Sequence, residues 1–187
     1  MNYYISDLHF GHKNALNFDE RPFENVDEMA RVIISAWNSK VAQDDDVYVI
    51  GDFQYRDEKS PEWYLNQLKG HKHLIIGNHD NLLVENEAVM KHFESVEKIQ
   101  YVSDMLEGTR VHVVLCHFPI LSWNKKMHGS YHVYGHIHAS ELEASRIMYQ
   151  YGEGRALNAG CMINHYAPAS LKELIINNER FINTIGQ

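Results

Sequence analysis

Five short apolar runs in this chain each end in residues that can bind a metal ion or transfer a proton. These residues are Asp7 and His9, Asp52, Asn78 to Asp80, His117, and His136 and His138. Carboxylates, amide oxygens and neutral imidazoles are ligands of divalent transition-metal cations. One run ending in histidine would carry little information, but five ends with the same chemistry predict a polynuclear metal site.

The number of candidate ligands indicates two metal ions. The seven donors, more than one tetrahedral ion requires, are Asp7, His9, Asp52, Asn78, His117, His136 and His138. Two ions that share a carboxylate would use all of them, and such a pair positions the attacking and leaving oxygens of an in-line phosphoryl displacement. We therefore expect two divalent ions of manganese, iron, zinc, nickel or cobalt.

The elements that must position these residues are buried strands. The apolar run Leu74 to Ile76 stops abruptly at Gly77, as expected for a strand that is covered on both faces in an α/β protein. Ligands in such sheets bind just beyond the carboxyl ends of the strands. The other four runs are 3–6, 47–50, 111–116 and 132–134. In a parallel or mixed sheet, all five ends would converge on one rim.

Helix signals lie between the strands. Asn25 followed by Glu28 is typical of a capping box, so a helix is predicted to begin there. Ser60-Pro61 predicts a second helix that closes at Gly70. Four further predictions are a helix from Asn81 to about His92 and strands over 95–102, 146–151 and 155–158. At the carboxyl end we expect a short helix near 171–175 and a last strand over 181–185, whereas 10–22 is expected to be an irregular loop.

Composition limits the class of protein. The 187 residues suit a single domain over 1–187, with 44% hydrophobic residues and a net charge of −8. This acidic balance disfavours a long nucleic acid as partner. No apolar run approaches the ~18 residues of a membrane span, so we expect a cytoplasmic protein with no membrane partner. Cys116 and Cys161 form no metal or disulfide pattern and are expected to be buried thiols.

The order of the motifs resembles a known family. Asp7-x-His9, Gly51-Asp52, Gly77-Asn78-His79-Asp80, His117-x-Pro119 and Gly135-His136-x-His138 are similar to the motifs of calcineurin-like metallophosphoesterases, especially small bacterial and phage members without a cap domain. Asp-x-His alone is uninformative, but the ordered set covers most of the chain. The resemblance implies two packed mixed β-sheets flanked by helices, an α/β/β/α sandwich.

The resemblance also implies roles for individual residues. Asp7, His9 and His138 would hold the first metal, Asp52 would bridge both, and Asn78, His117 and His136 would complete the second. His79 would be a catalytic imidazole that assists the leaving group, with Asp80 beside it to orient it. The implied activity is metal-dependent hydrolysis of a phosphoester by activated hydroxide, and we expect a small phosphodiester.

Two positions depart from the family pattern. Tyr55 stands where family members often have an acidic or amide residue, although Arg56 occupies the position of a phosphate-binding arginine. Cys161 replaces a serine in an Asn-x-Gly-Ser turn, which is expected to leave the metals untouched. Arg56 and His12 are candidates for binding substrate; the alternative for each is a solvated surface residue.

Other functions remain open at this level. A nuclease or a phosphomonoesterase would use the same metal site on a different substrate, and the oligomeric state has no sequence signal. A metal-free protein-interaction module on the same fold is the alternative from another class. His112, His128, His132 and His165 are expected to be structural.

Overall fold

The chain forms two four-stranded β-sheets. The computed structural model describes residues 1–185. The first sheet is entirely parallel, in the order β1 (Asn2–Ile5), β2 (Asp46–Val49), β3 (His71–Ile75) and β4 (Phe93–Glu97). The second is mixed, in the order β5 (Ile99–Leu106), β6 (Thr109–Cys116), β7 (Tyr131–Tyr134) and β8 (Ala156–Asn158), and only β5 and β6 pair antiparallel.

Seven α-helices connect or cover the strands within residues 1–185. They are α1 (Lys13–Phe18), α2 (Val26–Lys40), α3 (Pro61–Leu65), α4 (Asn81–Val84), α5 (Glu87–Met90), α6 (Leu142–Tyr151) and α7 (Leu171–Ile185). In the part of the chain that the structure describes, none of these helices has the length and apolar character that crossing a membrane requires.

The strands carry apolar side chains on both faces. In β1, Tyr4 packs between the two sheets while its neighbour Ile5 packs on the outside, against the α2 residues Ile33 and Trp37. Met148 of α6 packs on the outer face of the second sheet. Burial on both faces explains the unbroken apolar runs in the sequence, and the expected sandwich of two sheets flanked by helices is confirmed.

The predicted start of α2 is confirmed. The Asn25 side chain accepts a hydrogen bond from the backbone N–H of Glu28 at 2.9 Å. The Glu28 carboxylate accepts from the backbone N–H of Glu24, one residue earlier than an ideal capping box requires. The second predicted helix also begins at Pro61, but it ends at Leu65 rather than at Gly70.

Two predicted elements are divided in the structure. The predicted helix from Asn81 to His92 is interrupted at Asn86, whose side chain caps α5. The predicted strand over 95–102 is two strands, because the chain leaves the first sheet after Glu97 and enters the second at Ile99. The passage of the chain from one sheet to the other does not alter the two-residue alternation of side chains, so the sequence gives no sign of it.

Two predictions near the carboxyl end and one near the amino end were wrong. Residues 146–151 belong to α6 and residues 181–185 to α7, and the predicted irregular loop contains α1. The predicted strand over 155–158 is confirmed as β8, which pairs with β7. The helix α7 buries Leu171, Leu174 and Asn178 at helical spacing. Asn178 is a polar residue on this buried face, so it interrupts the apolar spacing in the sequence. It can be buried because its side-chain amide is hydrogen-bonded to the backbone of Asn158 on β8.

Candidate metal centre

The carboxyl ends of five strands meet at one rim. The strands β1, β2 and β3 are parallel neighbours in the first sheet, and β6 and β7 are parallel neighbours in the second. The predicted convergence therefore occurs, but two packed sheets supply it rather than one. All seven candidate ligands lie within four residues after the ends of these strands.

The backbone turns sharply at the rim. Five candidate ligands have left-handed φ values: Asp7 57°, His9 49°, Asp52 56°, His136 71° and His138 50°. This region is uncommon for residues other than glycine, and such conformations cluster at functional sites because the surrounding structure must enforce them. The turns direct these side chains to one place.

A first group of donors surrounds a common point. One ligand atom from each of Asp7, His9, Asp52 and His138 lies within 4.8 Å of the others. Nε2 of His9 and Nε2 of His138 are 3.2 Å apart, and Asp7 Oδ1 is 3.5 Å from Nε2 of His138. Asp7, His9 and Asp52 are buried. The group could therefore hold a metal ion.

A second group lies next to the first and shares Asp52. Oδ1 of Asn78 is 3.0 Å from Nε2 of His117 and 2.9 Å from Nδ1 of His136. Oδ2 of Asp52 is 3.6 Å from Nε2 of His117 and 3.7 Å from Nε2 of His9. One oxygen of Asp52 therefore faces an imidazole of each group.

Two glycines allow this close approach. A Cβ atom on Gly77 would overlap Oδ1 of Asp52 and lie 2.7 Å from its backbone nitrogen. A Cβ atom on Gly51, where φ is +81°, would overlap the His117 ring. Glycine at both positions thus lets the loops after β2 and β3 pack against the ligand side chains.

The electrostatics of the rim fit a bound metal cation. Burial raises the pKa of Asp7, although the neighbouring imidazoles of His138 and His117 oppose this rise. Burial lowers the pKa of His9 strongly and that of His136, which favours the neutral imidazole that binds metals. Within residues 1–185, no lysine or arginine side chain pairs with the carboxylate of Asp7 or Asp52. Two buried carboxylates that have no side-chain cation beside them favour the binding of a metal cation.

Asp19 and Arg21 support the first group and were not singled out from the sequence. Oδ1 of Asp19 is 2.7 Å from Nδ1 of His138. Arg21, which is only 4% exposed, donates to the Asp19 carboxylate and to the backbone carbonyls of Asp7 and Leu8. The only sign of this pair in the sequence is that Asp19 and Arg21 carry opposite charges two residues apart, and such pairs are common on protein surfaces.

His79 lies beside the donors. Its ring centroid is 5.4 Å from that of His9 and 4.6 Å from that of Tyr55. Its backbone N–H donates to Oδ1 of Asp52 at 2.9 Å, which places it at the rim. The half-buried ring is thus close to the centre.

The expectation that Asp80 orients the His79 ring needs correction. The buried Asp80 carboxylate accepts hydrogen bonds from the backbone N–H groups of Gly77, Asp52 and Phe53, at 2.8, 2.9 and 3.0 Å. Asp80 lies at the N-cap position of α4, from which its side chain turns back under the rim. It therefore joins the loops after β2 and β3 and positions Asp52.

Tyr55, His12 and Arg56 form the border of the centre near His79. The His12 ring centroid is 4.5 Å from Tyr55 and 6.3 Å from His79, and burial and the His79 charge lower the pKa of His12. Arg56 is exposed, with its guanidinium carbon 5.0 Å from the Tyr55 ring centroid. Tyr55 thus contacts both the rim and Arg56.

Both cysteines are buried and unpaired, as predicted. Sγ of Cys161 lies 3.2 Å from the backbone oxygen of Asp7, so this residue packs behind the rim. His132 is also buried and hydrogen-bonds the backbone of Val114 and Ile120, in agreement with its expected structural role.

Comparisons with known proteins show relatives without an assigned function. No family model matches the chain. It is 30% identical to the uncharacterized protein MJ1445 of Methanocaldococcus jannaschii over 188 residues, which covers 98% of this chain and 96% of that protein. The crystal structure of a protein of unknown function, AQ665 from Aquifex aeolicus, is similar with a TM-score of 0.64 and 25% identity, covering 92% of this chain and 96% of that one.

A weaker structural similarity links the chain to nuclease MPE from Pseudomonas putida. The TM-score is 0.44 with 17% identity, over 73% of this chain and 60% of that chain. The sequence identity to MJ1445, over nearly the full length of both chains, establishes the family. This chain belongs to the same family as the uncharacterized protein MJ1445 of Methanocaldococcus jannaschii.

Proposed function

We propose that this protein is a binuclear metal-dependent phosphoesterase that hydrolyses a small phosphodiester. The position of Asp52 is the main support, because its Oδ2 lies 3.7 Å from His9 Nε2 and 3.6 Å from His117 Nε2. A carboxylate shared by two groups of nitrogen and oxygen donors is the arrangement of two-metal phosphoryl-transfer sites. The ordered motifs that resemble calcineurin-like metallophosphoesterases support the same assignment.

The donors divide between two ions. Asp7, His9 and His138 would hold the first, Asn78, His117 and His136 the second, and Asp52 both. When bound, the two divalent ions activate water as the nucleophile and neutralise charge on the phosphoryl oxygens. Because the donors come from both sheets, we also propose that residues 1–187 act as one domain.

The remaining residues act on the substrate or on the ligands. The imidazole of His79 would donate a proton to the departing oxygen. Arg56 and His12, on the same side of the centre, would contact phosphoryl oxygens. Asp80 would keep Asp52 in place through the backbone rather than act on substrate.

The buried acids argue against a metal-free interaction module. A metal-free module would lack some of the metal-binding side chains, yet every candidate position in this chain has one. Asp7 and Asp52 are 0% and 1% exposed, and burying such carboxylates is costly without a compensating charge. Two bound cations would supply that charge.

Metal analysis with an activity assay tests this proposal. We expect two ions per chain, and hydrolysis of bis(4-nitrophenyl) phosphate that a chelator abolishes and added metal restores. Asp52→Asn should release both ions, whereas Asp44→Asn, on an exposed turn, should retain them. Full occupancy in Asp52→Asn would refute the bridge, and loss of one ion would make Asp52 a terminal ligand. A wild-type protein without metal or activity would favour the interaction module.

A further inference from the structure

A cavity opens beside the candidate metal centre, on the side of His79. Its volume is about 520 Å³, within the ~300–1,000 Å³ that is usual for ligand sites. Residues 54–61 form one wall and residues between Asn78 and Asn86 form the other. The cavity shares Asn78 and His79 with the metal centre. A substrate bound at the centre can therefore extend into the cavity.

We propose that this cavity binds the leaving group of the substrate and that it accepts a neutral, polar, ring-bearing alcohol about the size of a nucleoside. The inference rests on the proposed function, because it requires His79 to protonate the departing oxygen. Hydroxide forms the new P–O bond, while the bond to the alcohol breaks and leaves its electron pair on the alcohol oxygen. That oxygen takes the proton from His79.

The geometry of the displacement places the alcohol in the cavity. In an in-line reaction the attacking and departing oxygens lie on opposite sides of phosphorus. An alcohol that receives its proton from His79 must therefore extend on the His79 side. There the structure has the cavity, with Tyr55 as the aromatic wall next to His79.

The charges around the cavity favour a neutral group. Arg56 lies over Tyr55, and the neighbouring Glu58 is an exposed carboxylate. Lys59 is paired with Asp27. Asp57, a second carboxylate of the lining, accepts a hydrogen bond from the Tyr64 hydroxyl. Arg56 beside two carboxylates offers little net attraction for a second anionic group, so the cavity is poorly suited to a leaving group that carries its own phosphate.

The other lining groups suit a ring with polar edges. Gln54 donates its amide N–H to the backbone oxygen of Lys59, which leaves its amide oxygen to accept from a ligand. The side-chain oxygen of Asn86 caps α5, which leaves its amide N–H groups to donate. Leu82 on α4 is 80% exposed and offers an apolar contact. Amide groups with an apolar contact match a sugar or a nucleobase, whereas methanol would leave most of the volume to water.

A single mixed phosphodiester tests the inference by internal competition. Thymidine 5′-(methyl phosphate) can release thymidine with methyl phosphate, or methanol with thymidine monophosphate, and ³¹P NMR distinguishes the two phosphate products. We expect thymidine release to dominate by about tenfold or more, the discrimination typical of a fitted pocket. Dominant methanol release would overturn the inference.

Filling the cavity provides the matched variant. Leu82→Trp should bring the product ratio toward one, and Leu121→Trp, at an exposed residue outside the cavity, should keep the wild-type ratio. An unchanged ratio in Leu82→Trp would overturn the assignment of this cavity. The corresponding methyl diester of glucose tests whether a sugar alone is accepted, since release of glucose in excess of methanol also supports the inference. If bis(4-nitrophenyl) phosphate is not hydrolysed at all, the proposed function fails rather than the subsite.

Discussion

Oδ1 of Asp19 lies 2.7 Å from Nδ1 of His138, and this contact orients the imidazole so that its Nε2 faces the donors Asp7 and His9. Burial acts to lower the pKa of His138, but the hydrogen bond to Asp19 and the carboxylate charges outweigh it and raise that pKa. A carboxylate that accepts from the second ring nitrogen fixes the tautomer and orientation of a metal-binding histidine.

Asp19→Asn should therefore weaken metal binding at the first group by about 10- to 100-fold, the usual effect of removing such a partner. Competition with a metal indicator measures this affinity without relying on catalysis. Glu20→Gln is the matched control, because it removes a neighbouring but exposed charge. Equal affinities in wild type and Asp19→Asn would refute the role of Asp19, and a melting curve of the metal-free protein shows whether the variant folds.

His79→Asn should slow hydrolysis most when the leaving group is an alkoxide. General-acid catalysis contributes about 10²- to 10⁴-fold, and an alkoxide needs the proton, whereas nitrophenolate departs without it. Rates with alkyl and nitrophenyl diesters, at equal metal content, give the comparison. A loss of the same factor on both substrates would mean that His79 positions or binds the phosphoryl group instead.

Diesters should be hydrolysed faster than monoesters. A monoester dianion requires more positive charge around it, and the cavity side of the centre offers Arg56 beside the exposed Glu58. A panel of matched methyl and nitrophenyl esters measures kcat/KM for each class. A kcat/KM that is tenfold higher for monoesters than for diesters, or about 1.4 kcal/mol in transition-state free energy, would reverse this assignment.

His132 should make the fold sensitive to acid. Burial lowers its pKa to about 4 in the folded protein, while an unfolded chain has a histidine pKa near ~6.5. Between these values the unfolded chain binds the proton and the folded protein does not, so the free energy of unfolding falls as pH decreases from ~6.5 to ~4, by about 3 kcal/mol. Urea unfolding of the metal-free protein at several pH values measures this decrease.

The matched variants separate His132 from the other histidines. His132→Gln should be less stable near neutral pH, because Val114 and Ile120 lose hydrogen-bond partners, at a cost of about 1–3 kcal/mol. It should also show a smaller loss toward acid. His128→Gln, at an exposed residue, should retain the wild-type slope. An unchanged slope in His132→Gln would contradict the role of burial at this position.

The rim of the fold was predictable because its signal is local. Strands such as β1, β2 and β3 are buried on both faces and therefore appear as unbroken apolar runs. The donors come directly after them, and parallel strands bring their carboxyl ends to one edge. The types and order of the candidate ligands were thus contained in the sequence, as was the start of α2.

Only the tertiary structure decided how distant polar residues are paired. Asp19 serves His138 from 119 residues away, Asn178 is buried because Asn158 satisfies its amide, and Asp80 bonds backbone groups of the loop after β2 rather than the adjacent His79. A polar side chain can be buried only where partners replace its lost water. Those partners come from elements far apart in the chain, so sequence periodicity identifies apolar faces but does not identify which charges the fold will enclose.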